Sequence, residues 1–254
     1  MLSIEPEKEK AKITHFLKQV FEKQQINHAV IGLSGGIDST VSLYLLKEVL
    51  SPEHIFAAHL YYASPVFTHI EKVLQQINFP KQNILHISIK QAVDEAASLL
   101  GIKGNQADKI RKGNIAARMR MIVLFDLAKK HNALVCGTEN KSENLLGYYT
   151  RFGDQASDIE PVEHLYKTQI FQLATYLGVP QDIINQNPTA GLWHGQTDEG
   201  EFGFTYNEAD QVLYLHLEKK LPLSELEKRG LSNAREILKR RQRNLFKQQT
   251  PYHL

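Results

Sequence analysis

The sequence has little cysteine, little net charge and no long apolar run. Its 254 residues include one cysteine, Cys136, which excludes an intramolecular disulfide framework and favours a reducing compartment. No run approaches the ~18 consecutive apolar residues of a membrane-spanning helix. Residues 1–12 are charged and lack the apolar core of a signal peptide. A formal net charge of +2 gives no reason to expect nucleic-acid or membrane partners. We therefore expect a cytoplasmic globular protein.

Short apolar segments alternate along the chain with segments whose apolar residues recur at helical spacing. This alternation predicts an α/β fold with a doubly wound parallel sheet flanked by helices, followed by a helical C-terminal part. Ligands of such sheets bind beyond the carboxyl ends of the strands. The predicted strands cover residues 29–32, 55–60, 83–89 and 133–137, and the predicted helices cover residues 7–24, 38–50, 68–77, 91–100, 108–131, 167–177, 182–186, 207–217 and 231–246.

The segment AVIGLSGGIDST, residues 29–40, places a glycine turn between a predicted strand and a predicted helix. Gly35 and Gly36 permit positive φ and a close approach of the backbone to a ligand. The hydroxyl groups and the unpaired N–H groups at the helix start suit a bound anion, and the expected anion is a phosphate. The segment has neither the lysine of a Walker loop nor the spacing of a dinucleotide-binding loop. The alternative is an ordinary strand–helix turn whose serines cap the helix.

The predicted helix over residues 108–131 is apolar nearly all round between residues 115 and 128, a pattern that indicates burial. Burial within one subunit and burial between subunits explain this pattern equally well. Arg118 and Arg120 interrupt it. Because arginine is rarely buried without a partner, we expect at least one of them to contact a carboxylate or a phosphate. The alternative places both on an exposed edge or in structural ion pairs.

Two long loops contain several glycines, one over residues 146–159 and one over residues 187–205. Long loops in compact domains are usually functional or disordered, and we expect these two to close over a site. Between residues 235 and 247, six basic residues accompany one acid. A solvated face explains such a run, and a phosphate or nucleotide contact at its end is the alternative.

Several segments have the order and spacing of a known enzyme family. The glycine loop alone resembles the pyrophosphate loop of the N-type ATP pyrophosphatases. With the other segments, the chain resembles the ammonia-dependent NAD⁺ synthetases over roughly residues 10–250, and residues 137–167 single out that family. The segments are GNIAARMRM (113–121), GTENKSE (137–143), LGYYTRFGD (146–154), DIEP (158–161), LYKTQ (165–169), NPTA (187–190) and QTDE (196–199).

The resemblance implies a fold similar to the adenine nucleotide α-hydrolases. It implies a single domain over residues 1–254, with a core at about residues 10–190, a helical segment at about residues 205–254 and no glutaminase domain. The implied reaction is ATP-dependent amidation of deamido-NAD⁺ with ammonia through an acyl-adenylate, giving NAD⁺, AMP and pyrophosphate. Family members use Mg²⁺ and resemble homodimers with the long central helix at the interface. The alternatives are another ATP pyrophosphatase, such as the synthetase part of GMP synthetase, and a non-catalytic adenine-nucleotide sensor.

The resemblance also assigns roles to individual residues. Asp38 and Glu143 correspond to Mg²⁺ ligands. The expected catalytic residues are Asp38, Lys167 and Asp158, with Asp158 as acceptor of the ammonia proton. Deamido-NAD⁺ is expected to contact Arg118, Arg151, Asp158, Phe246 and Lys247. ATP is expected to contact Gly32, Leu33, Ser34, Gly35, Gly36, Ile37, Asp38, Ser39, Thr138, Lys167 and Thr189.

Three positions depart from the family pattern. Phe246 stands where a histidine often precedes the C-terminal lysine. Arg151 stands where lysine is common, which keeps the charge and changes the donor geometry. After the second strand many members have an arginine that meets ATP. This chain has His59 in that region, and we do not transfer the contact to it.

Simpler interpretations exist for several of these residues. Without the surrounding motif, Lys167 is explained as a solvated lysine, and Glu143 as an acid that the dipole of a helix start favours. Cys136 lies in a predicted strand and is expected to be a small buried hydrophobe. The eleven histidines show no zinc-ligand spacing with it, so we expect no zinc site. A single cysteine also disfavours a sulfur-transfer relative that acts on tRNA.

Overall fold

The computed structural model describes residues 2–63, 68–189 and 195–252, apart from the side chain of Gln106. In these residues every strand pairs in parallel within a single sheet, which confirms the predicted α/β architecture. The strands are β1 (Ala29–Gly32), β2 (Ile55–Tyr61), β3 (Ile84–Ser88) and β4 (Leu134–Cys136).

The strand order is β3-β2-β1-β4, so β1 lies between β2 and β4. Gly32 at the end of β1 pairs with Ala58 on one side, and Ile31 pairs with Cys136 on the other. From β1 the chain adds β2 and then β3 on one side of β1. It then crosses back and adds β4 on the other side of β1. Such a reversal opens a crevice at the carboxyl ends of β1 and β4. The sequence segments that follow β1 and β4 both start at this crevice.

Helices cover both faces of the sheet and continue into the C-terminal part. None of those within the described ranges is long and apolar enough to traverse a lipid bilayer. The helices are α1 (Pro6–Gln24), α2 (Ile37–Lys47), α3 (Thr68–Gln76), α4 (Lys90–Leu99), α5 (Gln106–His131), α6 (Lys141–Leu146), α7 (Lys167–Leu177), α8 (Gln181–Ile184), α9 (Asp198–Phe202), α10 (Tyr206–Leu213), α11 (Leu223–Lys228) and α12 (Ala234–Asn244).

Side chains of β1 alternate between two apolar cores. Ile31 packs into the core formed with α1, α2 and α7, whereas Val30 packs into the core formed with α4 and α5. Both side chains are fully buried. Because both faces are covered, the strand is apolar along its whole length. Cys136 at the end of β4 is also buried, as expected for a small hydrophobe.

A third apolar core holds the C-terminal helices together. Val212 of α10 and Ile237 of α12 lie in it, together with Leu146 at the end of α6 and Tyr166 just before α7. The C-terminal helices therefore pack directly against the two helices that follow β4. The starts of α6 and α7 are therefore positioned both by the sheet and by the C-terminal helices.

The predicted boundaries need correction in the second half of the chain. The expected loop over residues 187–205 contains α9, whose N-cap residue Thr197 accepts a hydrogen bond from Gly200 N at 3.2 Å. Residues 190–194 of that loop lie outside the described residues. The prediction also missed α11 and started α12 three residues too early, because Pro222 and Gly230 were not used as boundaries.

Within one chain, the apolar helix α5 is buried on one side only. Ala116 and Leu127 are 6% exposed, whereas Ile122 is 53% exposed. Neither arginine forms an ion pair with a carboxylate of the described residues, which leaves a phosphate as the expected anionic partner. Arg118 Nη2 donates to Arg151 O at 3.2 Å, and Arg120 Nε donates to Leu60 O at 3.0 Å. Each guanidinium group thus donates one hydrogen bond to a backbone carbonyl.

Candidate active site

The glycine loop connects β1 to α2 at the central crevice. Gly35 has a φ of +87°, and Ser34 Oγ accepts a hydrogen bond from Gly36 N at 3.2 Å. The hydroxyls of Ser39 and Thr40 donate to Gly36 O at 3.1 and 2.9 Å. No described side chain caps the start of α2. Its first N–H groups therefore face the crevice available to an anion, as the sequence predicts.

Lys167 meets two of the predicted carboxylates. Its Nζ atom donates to Asp38 Oδ2 at 2.5 Å and to Glu143 Oε1 at 3.2 Å. Each of the three residues lies in the first turn of its helix, Asp38 in α2, Glu143 in α6 and Lys167 in α7. Parallel strands bring these helix starts together at one edge of the sheet.

The interpretation of Lys167 as a solvated lysine is wrong, because the residue is only 2% exposed. Burial alone would lower the pKa of its ammonium group. The carboxylates of Asp38 and Glu143 more than offset this effect, so the pKa is raised and the group stays charged. Burial raises the pKa of Glu143 to about 7, although Lys167 opposes the rise. A buried cation among several anions is suited to neutralise incoming phosphate charge.

Glu143 is the helix-start acid that the simpler interpretation suggested, and it also contacts Lys167. It forms a capping box with Asn140, in which Glu143 N donates to Asn140 Oδ1 at 3.0 Å and Asn140 N donates to Glu143 Oε2 at 3.4 Å. Its other oxygen accepts from Lys167. Asn140 Nδ2 also donates to Asp38 Oδ1 at 3.0 Å. We did not predict this role of Asn140, although the spacing Asn140-x-x-Glu143 is a helix-start signature.

Two buried residues, Asp198 of α9 and Tyr206 of α10, complete the surroundings of Lys167. Tyr206 Oη donates to Asp198 Oδ2 at 3.0 Å, and the Tyr206 ring centroid lies 5.3 Å from Lys167 Nζ. Asp198 is 3% exposed, and its Oδ1 atom has no hydrogen-bond partner among the described residues. Burial raises the pKa of Asp198, and the nearby charge of Lys167 lowers it. The motif QTDE includes Asp198, but the sequence analysis assigned no role to this residue.

The residues predicted to bind the dinucleotide come together beside this cluster. Lys247 Nζ donates to Gly147 O at 2.6 Å and to Tyr149 O at 2.8 Å. The guanidinium carbon of Arg151 lies 5.5 Å from the Phe246 ring centroid, and Arg118 bonds the carbonyl of Arg151. The C-terminal segment therefore holds the loop over residues 146–159 in place.

Three other predicted site residues have looser surroundings. Thr138 follows β4 and is partly buried, and Thr189 is exposed. Asp158 is exposed, and its Oδ2 atom accepts a hydrogen bond from Val135 N at 2.8 Å. This bond fixes the Asp158 carboxylate against β4, and Asp158 N donates to Val135 O at 2.9 Å, which fixes the backbone.

A second pair of acids is buried behind β4. Glu139 N donates to Glu160 Oε2 at 3.2 Å, and Ser157 Oγ donates to Glu160 Oε1 at 2.7 Å. Burial raises the pKa of Glu139 to about 10 and that of Glu160 to about 8, and their neighbouring acids add to the rise in both. Both side chains therefore bind protons in the folded protein near neutral pH. The sequence analysis assigned no role to this pair.

The carboxylates near Lys167 form a small set of hard oxygen donors. Over residues 2–63, 68–189 and 195–252, no group of three or more histidine, cysteine or acidic side chains has the geometry of a metal site. Asp38 and Glu143 alone remain as a candidate pair, with side chains 16% and 17% exposed. Two carboxylates suit an ion such as Mg²⁺, which takes its other ligands from phosphate and water.

Comparison with known proteins agrees with this geometry. A sequence model of the NAD synthase family matches residues 9–251. The chain belongs to the NAD synthase family. An NH(3)-dependent NAD(+) synthetase from Fusobacterium nucleatum is 40% identical over 244 residues, which cover 94% of this chain and 92% of the relative. The protein of the same name from Thermococcus kodakarensis is 40% identical over 222 residues, covering 87% and 85% of the two chains.

Solved structures of NAD synthases and a related enzyme share the whole fold. NMN synthetase from Francisella tularensis has a TM-score of 0.83 at 32% identity and covers 99% of both chains. NH3-dependent NAD synthetase from Campylobacter jejuni, in complex with the nitrate ion, has a TM-score of 0.80 at 29% identity and covers 99% of this chain and 100% of its own. These matches confirm the resemblance inferred from the motifs, and they favour it over GMP synthetase and over a nucleotide sensor.

Proposed function

We propose that this NAD synthase amidates deamido-NAD⁺ with ammonia and ATP, and releases NAD⁺, AMP and pyrophosphate. The observation that carries the proposal is the position of Lys167. Its buried ammonium lies between the carboxylates of Asp38 and Glu143, beside a phosphate loop that contains no lysine of its own. The relatives named NH(3)-dependent NAD(+) synthetases supply the identity of the substrates.

In the first step the nicotinate carboxylate attacks the α-phosphorus of ATP. A bond forms between the carboxylate oxygen and phosphorus, and the bond from phosphorus to pyrophosphate breaks. Both reactants are anions, so the step depends on charge neutralisation and alignment. Residues 32–39 hold the phosphates with the N–H groups of the α2 start, and Thr138 and Thr189 add contacts to ATP. Lys167 neutralises the charge that grows on the leaving pyrophosphate.

We propose that Asp38 and Glu143 hold Mg²⁺ at this site. Both carboxylates face the same ammonium and retain some solvent exposure, and each oxygen accepts a hydrogen bond with one lone pair, which leaves the other for an ion. When bound, Mg²⁺ offsets the negative charge of the ATP phosphates. Asn140 orients Asp38 through its Nδ2 group, and the capping box orients Glu143. The two ligands are therefore positioned by hydrogen bonds before an ion arrives.

In the second step ammonia attacks the acyl carbon of the adenylate. The new C–N bond forms, the C–O bond to AMP breaks, and the nitrogen loses a proton. We assign the proton to Asp158, and the contacts with deamido-NAD⁺ to Arg118, Arg151, Phe246 and Lys247. Water would hydrolyse the adenylate, so the site has to exclude it. The loop over residues 146–159, held by Lys247, and the segment with α9 are in position to do so.

We also propose that two copies of the chain associate through α5. One side of this helix packs on the sheet, while Ile110 and Ile122 on its other side are 51% and 53% exposed. Leu99 at the end of the adjacent α4 is 87% exposed. Apolar side chains exposed along one helix are typical of a subunit interface. Sedimentation equilibrium would test this, and a monomer at micromolar concentration would contradict it.

A second substrate is favoured by one comparison. The structural neighbour from Francisella tularensis is an NMN synthetase. The same amidation applied to nicotinate mononucleotide would give NMN, and it needs the same adenylation step. Nicotinate mononucleotide is therefore the second candidate substrate, whose carboxylate would accept the adenylyl group of ATP.

One assay separates these functions. The purified protein is incubated with ATP, Mg²⁺, ammonium and either deamido-NAD⁺ or nicotinate mononucleotide, and all products are measured. We expect NAD⁺ with equal amounts of AMP and pyrophosphate. A higher kcat/KM with the mononucleotide would favour the second function, and release of ADP and phosphate would contradict both.

A further inference from the structure

A fully buried carboxylate lies behind the cluster that surrounds Lys167. Asp210 belongs to α10, in the C-terminal helical part, and is 0% exposed. Its Oδ1 atom accepts a hydrogen bond from Ser142 Oγ at 2.5 Å, and its Oδ2 atom accepts one from Thr168 N at 2.9 Å. Both oxygens are therefore used, and both bonds reach other helices.

These bonds end at the starts of α6 and α7. Ser142 Oγ, which donates to Asp210, also accepts a hydrogen bond from Lys167 N at 2.8 Å. Asp210 thus satisfies the N–H of Thr168 directly and that of Lys167 through Ser142. The first N–H groups of a helix lack partners within it, and a negative charge at this end is favourable. Asp210 supplies both to α7.

The same contacts fix the two side chains of the proposed site. Ser142 is the neighbour of Glu143, and Lys167 is the first residue of α7. A rotation of the first turn of α7 would move Lys167 Nζ away from Asp38 and Glu143. One carboxylate holds the first turns of both helices, so it sets the position of Glu143 relative to Lys167.

We propose that Asp210 is a positioning residue for the adenylation step, acting through Ser142 and the backbone of α7 on Lys167. This inference rests on the proposed function for its kinetic part, while the positioning itself is a structural statement. Charged hydrogen bonds of this kind are stronger than neutral ones, and the buried surroundings of Asp210 protect them from water. The C-terminal helices therefore take part in arranging the site through a side chain that does not reach the substrates.

The test compares Asp210→Asn with the wild type. The variant keeps the shape of the side chain but loses the charge, and its amide nitrogen cannot accept a hydrogen bond. We expect kcat for NAD⁺ synthesis, and the rate of deamido-NAD⁺-dependent exchange of pyrophosphate into ATP, to fall about 10- to 100-fold, the effect of a small misplacement in an active site. KM for ammonium is expected to stay unchanged. Ser142→Ala removes the bridge alone, and we expect a smaller loss that does not add to that of Asp210→Asn.

Glu208→Gln is the matched control, because Glu208 caps a different helix from the same α10. Its carboxylate accepts from Asn233 N at 2.8 Å and from Asn233 Nδ2 at 2.7 Å, at the start of α12. We expect this variant to lose thermal stability and keep kcat. Equal losses of kcat in Glu208→Gln and Asp210→Asn would overturn the proposal, because a general loss of packing would then explain both.

A crystal structure of Asp210→Asn provides a readout that does not depend on activity. We expect Lys167 Nζ to leave hydrogen-bond distance of Asp38 or Glu143. Unchanged contacts there, or an unchanged kcat in the folded variant, would overturn the proposal. If Asp210→Asn does not fold, Ser142→Ala is subjected to the same two measurements. If the wild type amidates neither nucleotide, the proposed function is wrong. The position of Lys167 in the Asp210→Asn crystal structure would still test whether Asp210 positions Lys167.

Discussion

The ammonium of Lys167 lies 2.5 Å from Asp38 Oδ2, although 129 residues separate the two in the chain. Asp38 follows β1 and Lys167 follows the segment after β4, so their contact spans the crevice between these two strands. The same ammonium contacts Glu143 at 3.2 Å. A cation in this position holds two anions together before ATP binds.

We expect Lys167→Met to affect both turnover and stability. Loss of the cation removes charge stabilisation from the adenylation step, so kcat should fall at least ~100-fold. The variant also leaves Asp38 and Glu143 close to each other without a counter-ion, which should lower the free energy of unfolding by about 3 kcal/mol. Steady-state kinetics and urea denaturation measure the two effects.

The double variant Asp38→Asn/Lys167→Met distinguishes a charge effect from a packing effect. With one anion removed, we expect it to be more stable than Lys167→Met alone. Equal or lower stability would contradict the electrostatic explanation. Lys72→Met is the matched surface control, since its ion pair with Asp182 at 2.8 Å is exposed and should contribute less than about 1 kcal/mol.

The sequence predicted the sheet and the position of the phosphate loop because these depend on local patterns. Apolar strand-length runs, the glycines after β1 and the helix that follows are all read within about a dozen residues. The placement of Lys167 and Asp38 at one site followed from the family resemblance and from the rule that ligands bind at strand ends, but their direct contact was not predicted. No local pattern specifies that distance.

Asp210 and Asp198 could not be predicted because their roles come from helix packing. Asp210 contacts Ser142, 68 residues away, only because α10 lies against α6 and α7. An acid in a short helix is usually exposed, so the burial of Asp210 is a tertiary property. The one-sided exposure of α5 was missed for the related reason that an apolar pattern does not tell which partner covers it.

Stability should depend on pH through Glu160. Burial raises the pKa of this side chain from 4.5 to about 8 in the folded protein, so between these values the folded state binds more protons than the unfolded state. The free energy of unfolding contributed by this group therefore decreases as pH rises from about 4.5 to 8. Between pH 4.5 and 8, we expect the free energy of unfolding of Glu160→Gln to decrease by about 1 kcal/mol less than that of the wild type, or by a still smaller amount.

Urea denaturation at pH 5, 6, 7 and 8 measures that difference between the wild type and Glu160→Gln. Glu227→Gln is the control, because Glu227 pairs with Arg235 at an exposed position and should leave the slope unchanged. Glu139 and Glu143 also have raised pKa values and should leave part of the slope in Glu160→Gln, so a slope identical to that of the wild type would contradict the role of Glu160. A stability that rises with pH in this window would contradict the sign of the argument.

Gly137 is predicted to be intolerant of any side chain. A Cβ atom there would lie 1.8 Å from Glu160 Oε1 and 2.3 Å from its carboxyl carbon. Because Glu160 is held by Ser157 and by Glu139 N, it cannot move without losing hydrogen bonds. We expect Gly137→Ala to cost about 1 to 3 kcal/mol of stability. In a Glu160→Ala background the same substitution should cost much less, and an unchanged cost would contradict the proposed clash.

Lys247 is expected to control the loop over residues 146–159. Its ammonium donates to Gly147 O and Tyr149 O, so Lys247→Met removes two bonds that anchor the loop beside Arg151. We expect KM for deamido-NAD⁺ to rise about tenfold, the effect of losing roughly 1.4 kcal/mol of binding, while KM for ATP changes little. Limited proteolysis should cut the loop faster than in the wild type. Lys239→Met on α12, whose ion pair with Glu236 is exposed, should change neither measurement. A raised KM for ATP with normal protease resistance would place Lys247 in the phosphate half of the site instead.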